Sequence, residues 1–70
     1  LLNKMKTNKY FIINILDDSR KIIGECRAVM ELPKKKVELM TPAVATAKLP
    51  DDIKWERITL DELKELVKNK

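Results

Sequence analysis

The chain of 70 residues has no histidine, one cysteine, one glycine and one each of Trp, Tyr and Phe. Each scarcity removes a class of chemistry. With Cys26 alone no internal disulfide forms, and without histidine or a second thiol an ordinary structural zinc site cannot be assembled. Ser19 and Cys26, single representatives of their kinds, have no imidazole to activate them as nucleophiles. One glycine is too few for a phosphate-cradling loop. The residues therefore predict a protein that is not an enzyme and uses no metal or cofactor. Long apolar runs are also lacking: Tyr10 to Ile13 is cut by Asn14, far short of the ~18–20 residues of a membrane span. The start shows no apolar stretch followed by a small-residue cleavage site, so a soluble, cytoplasmic chain with a reduced thiol is expected.

What the chain does have is charge, 37% of its residues, with a formal net charge of +4, and 44% hydrophobic residues. At this length one core supplies roughly 3–5 kcal/mol, and neither disulfide nor zinc is present to add to it. Self-association is the expected compensation, so a homo-oligomer is anticipated. Residues 1–8 carry Lys4 and Lys6 without apolar period and read as a flexible basic arm, with Leu1 and Met5 both open as the start. Residues 9–70 read as one small domain.

Within it, Tyr10 to Leu16 alternates with apolar residues on both sides, which suits a central strand. Asp17-Asp18-Ser19-Arg20 is a turn. Lys21 to Leu32 alternates again, with Ile22, Gly24, Cys26, Ala28, Met30 and Leu32 on the core side. Gly24 in mid-strand suggests a bulge or a close backbone approach, and Cys26 on the apolar side reads as packing rather than reactivity. Pro33-Lys34-Lys35-Lys36 forms a basic tip, Val37 to Thr41 a third strand, and residues 43–47 leave a strand and irregular packing both open, with a short strand favoured. Asp51 and Asp52, like Asp17 and Asp18, read as solvated turn residues, and residues 53–58 as a last strand.

The C-terminus carries the clearest local signal. Thr59 and Glu62 fit a capping box, Ile58 and Leu63 a hydrophobic staple, and Leu60, Leu63 and Val67 one apolar stripe. A helix from Leu60 to Asn69 follows, which at that length needs a sheet to dock on. The predicted fold is α+β, a small antiparallel β-meander of three to five strands with one C-terminal α-helix packed on one face.

One short helix cannot cover both sides of such a sheet. The leading expectation is a protein-interaction module of the inhibitor, adaptor or accessory-subunit type, acting through Tyr10, Ile12, Leu16, Ile23, Val29 and Trp55. A lone Trp beside a capped helix also serves simply as a core anchor. The alternative is nucleic-acid binding through Lys4, Lys6, Lys9, Lys34, Lys35 and Lys36, against the blander role of solubilising the strand edges.

Overall fold

The computed structural model describes residues 7–68. In chain order it forms β1 (Thr7–Leu16), β2 (Ile22–Leu32), β3 (Lys36–Met40), α1 (Pro42–Lys48), β4 (Glu56–Thr59) and α2 (Leu60–Lys68). The expected α+β class and its C-terminal helix are present. The strands make one mixed sheet in the order β3-β2-β1-β4. β1, β2 and β3 are the antiparallel meander, whereas β4 pairs with β1 in parallel. β3 and β4 consequently run the same way at opposite edges, and strands so related need a crossover between them. The segment from α1 to Trp55 makes that crossing.

The first turn is held by one carboxylate. Asp17 Oδ1 accepts from the amides of Ser19 at 2.8 Å and Lys21 at 2.9 Å, and Arg20 takes φ 66°. Two residues later the register slips: Ile15 faces Gly24 but Leu16 faces Ile22, which leaves Ile23 as the extra residue of a bulge. Gly24 itself is not required by space, since a Cβ there would meet Ile15 Cδ1 at 3.9 Å, an ordinary contact.

Alternation then sorts the strands. Phe11 and Ile13 of β1, Ala28 and Met30 of β2 and Ile58 of β4 form one buried layer, closed by Leu63 of α2. Cys26, Leu32 and Val37 pack against it. The apolar side assigned to Cys26 is thus the core side. α2 begins as its residues require: the Thr59 amide donates to Glu62 Oε1 at 2.8 Å, and the Glu62 amide donates to Thr59 Oγ1 at 3.1 Å. Asp61 and Glu62 lie at the positive end of its dipole and Lys68 at the negative end.

Four local assignments change. Residues 43–47 are helical, not extended: Thr41 caps α1 by accepting from the Val44 amide at 3.2 Å, Pro42 sits where its missing N–H costs nothing, and three alanines follow. There are accordingly two helices rather than one. The last strand is only Glu56–Thr59, so Trp55 belongs to the crossover. β1 starts at Thr7, within the stretch assigned to the arm, while residues 1–6 and Asn69 lie outside the described residues.

Candidate interaction surfaces

Large aliphatic side chains are distributed unevenly between inside and outside. Among the described residues the buried large hydrophobics are Phe11, Ile13, Met30, Ile58 and Leu63, and the exposed ones are more numerous. Four of these, Ile15 (41% exposed), Ile22 (54%), Ile23 (63%) and Leu60 (43%), belong to the Asp17–Lys21 hairpin end of the sheet. The bulge is the local cause. It interrupts alternation just where two isoleucines are adjacent, so neither gains a place in the core. Ile15 and Leu60 also line, with Leu16 and Asp61, a shallow hollow of about 200 Å³. Around this apolar end stand Asp18 and Asp61 as well as Arg20 and Lys21, all exposed, so the rim carries both signs.

The second face of the sheet is closed differently. Trp55 meets Tyr10 edge to face, with ring centroids 5.7 Å apart, and the Arg27 guanidinium lies 5.3 Å from the Trp55 ring. Arg27 also donates to Glu25 Oε1 at 2.8 Å, and Arg57 donates to Asn14 Oδ1 at 2.7 Å and to Glu25 Oε2 at 3.3 Å. The hydrogen bonds from Arg27 and then Arg57 hold the Glu25 carboxyl below its usual pKa. Of α1, only Ala45 is buried here.

At the far end of β2, Lys35 takes φ 61° in the turn between Pro33 and Lys36. Pro33, Lys34 and Lys35 line a hollow of about 440 Å³ with Val67 of α2. Lys36 stands opposite Glu31 in the β2–β3 ladder.

These positions redistribute the residues picked out by sequence. Tyr10, Ile12 and Val29 are half-buried rather than displayed, beneath the face that the crossover traverses, and Trp55 is one of the residues covering it. Leu16 is half-buried and Ile23 exposed at the hairpin end. Lys9 is exposed on β1 opposite Met30, where it shares a hollow with Lys54, Asp52 and Glu56, so its charge is locally balanced. Lys34 and Lys36 are exposed with Lys35 between them, whereas Lys4 and Lys6 lie outside the described residues. The sequence pattern places Ile22 on the core side and Leu60 on the apolar stripe of the helix, yet both are exposed, as is Ile15; the Ile22-Ile23 adjacency in an otherwise alternating strand marks the irregularity at this end.

Among the described residues no helix is long and apolar enough to cross a membrane, and no group of three or more His, Cys, Asp or Glu side chains is placed to hold a metal ion. Comparison of the chain with protein families, with curated proteins and with solved structures finds no match.

Proposed function

We propose that the chain is a non-enzymatic protein-interaction module that docks through its hairpin end, and that the partner on this surface is a second copy. The observation that carries this reading is the exposure of Ile15, Ile22, Ile23 and Leu60 together at one end of a domain whose own core is small. Apolar area of a few hundred Å² left exposed at one end of a domain marks an interaction surface. A half-exposed Ile or Leu leaves on the order of 100 Å² uncovered, so two copies bring at most roughly 800 Å² of apolar area to the contact. Interfaces are slightly more than half apolar, which scales this to an upper bound of about 1,400 Å² in total, a size that specific association can use.

Charge supports the choice of partner. A rim holding Asp18 and Asp61 beside Arg20 and Lys21 can match itself across a two-fold axis, acid of one copy to base of the other. The lysine tip, with one sign in excess, would repel a copy. The bulge at Ile23 breaks the regular ladder, and bulges keep open strand edges from extending into a neighbour's sheet, so the contact is made by side chains.

Sedimentation equilibrium and thermal melts over about a hundredfold range of concentration test this reading, because a folded form that associates melts higher as concentration rises. Ile23→Lys is expected to remain folded, since Ile23 is 63% exposed, and to sediment as a monomer with a concentration-independent melt. A parent chain that is monomeric throughout, or an Ile23→Lys variant that associates as the parent does, refutes it.

A further inference from the structure

The described residues are close to neutral together, because Lys4, Lys6 and Lys70 lie outside them, yet their charge is segregated. Lys34, Lys35 and Lys36 occupy the β2–β3 tip, and Lys68 follows Val67 in the last turn of α2, beside the hollow that Val67 shares with the tip. Two segments far apart in sequence, the tip and the last turn of α2, therefore meet at one end of the sheet. Against them stand Glu31, opposite Lys36, and the negative pole of α2, worth about half a charge. Glu38, next along β3, is engaged by Lys48 at 3.4 Å. The excess at the tip is cationic.

Guarding a strand edge accounts for Lys36, the first residue of β3, but not for Lys34 and Lys35. Edge lysines work by standing on the open ladder, whereas Lys34 and Lys35 are in the turn, and the open β3 edge carries the exposed Leu39. We propose that the tip binds the phosphate backbone of nucleic acid without reading its sequence. Lysine ammonium groups neutralise phosphates as point charges. Base recognition needs groups that are committed elsewhere: Arg27 and Arg57 are held on Glu25, Arg20 is in the opposite turn, and Tyr10 and Trp55 pack on each other. Among the described residues no guanidinium fork and no stacking platform faces the tip, so what remains is salt-dependent, sequence-tolerant binding. The inference is independent of self-association, because the eleven residues of β2, at ~3.3 Å each, separate the tip from the hairpin end.

Fluorescence anisotropy with two labelled duplexes of unrelated sequence, titrated between about 50 and 200 mM NaCl, tests the proposal. Two to three phosphate contacts predict roughly a 10- to 40-fold loss of affinity over that range, equal for both sequences. Replacing Lys34, Lys35 and Lys36 by Gln is expected to flatten the log–log salt slope by roughly 2–3, and replacing all three by Arg to preserve it. Arg20→Gln with Lys21→Gln, at the other end, should leave binding unchanged, and Ile23→Lys should bind as the parent does even if it no longer associates. The proposal is overturned if the parent shows no affinity at the lowest salt, if the Gln variant binds like the parent, if the Arg20/Lys21 variant loses as much, or if vesicles rich in phosphatidylserine bind more tightly than either duplex.

Discussion

The two faces of this sheet are closed by opposite means. On one, α2 inserts Leu63 into a layer formed by Phe11, Ile13, Ala28, Met30 and Ile58, so closure there is by apolar burial. On the other, the crossover contributes the buried Ala45 and a half-buried Trp55, held by an aromatic edge contact and a stacked guanidinium. One face resembles a core and the other an internal interface. Parallel pairing of β4 with β1, by forcing the chain across the second face, covers apolar residues such as Tyr10, Ile12 and Val29 without building a second core beneath them.

Truncating one anchor on each side tests whether the two faces are closed by different means. Leu63→Ala removes a buried side chain from the apolar layer and is expected to cost about 2–5 kcal/mol, most of what a domain of this size possesses. Trp55→Ala removes an edge contact and a stacked cation from a half-buried site, for which about 1–2 kcal/mol is expected. Urea midpoints measure both. Equal losses would mean that the second face is as much a core as the first.

A smaller effect distinguishes the two helices. Thr59→Ala takes one half of a reciprocal box and should lower stability by about 1 kcal/mol, whereas Thr41→Ala removes a single 3.2 Å bond from a seven-residue helix and should lie near the bottom of the ~0.5–2 kcal/mol range for caps. Coincident midpoints for the two variants would show that the Glu62 half of the box adds nothing.

That pair of caps also explains how far sequence reading reached. α2 was legible because Thr59, Glu62, Ile58 and Leu63 all point to the same start and a stripe of leucines follows. α1 has a cap and a first-turn proline too, but Val44 stands where a Glu would complete a box, its alanines make no apolar stripe, and β-branched Val44 and Thr46 favour the extended reading. Its helicity comes from Thr41, Pro42 and alanine propensity acting together. The direction of β4 was not legible at all, since four residues carry no signal for parallel or antiparallel pairing. At the surfaces, the lysine tip was plain in sequence because it is contiguous. The hairpin end was not, because its exposure depends on a one-residue slip that moves Ile22 and Ile23 out of alternation.

The smallest expected effect lies on the second face and sharpens what kind of closure it has. Glu25 gathers Arg27 and Arg57 from two strands, and those hydrogen bonds hold its carboxyl below the ordinary carboxylate range. A group whose pKa is lower in the folded than in the unfolded chain contributes stability above its unfolded value and loses it as pH falls through its folded value. Parent and Glu25→Gln should therefore differ in melting temperature at neutral pH, with the parent the more stable. The gap should narrow as pH drops below the usual carboxylate range and vanish once Glu25 is protonated in the folded chain as well. Its side chain is 36% exposed, so solvent and salt screen the pair, and added salt should shrink the neutral-pH gap. A gap that persists unchanged at low pH would assign the contribution of Glu25 to packing rather than charge, and the second face would then be closed by the same means as the first.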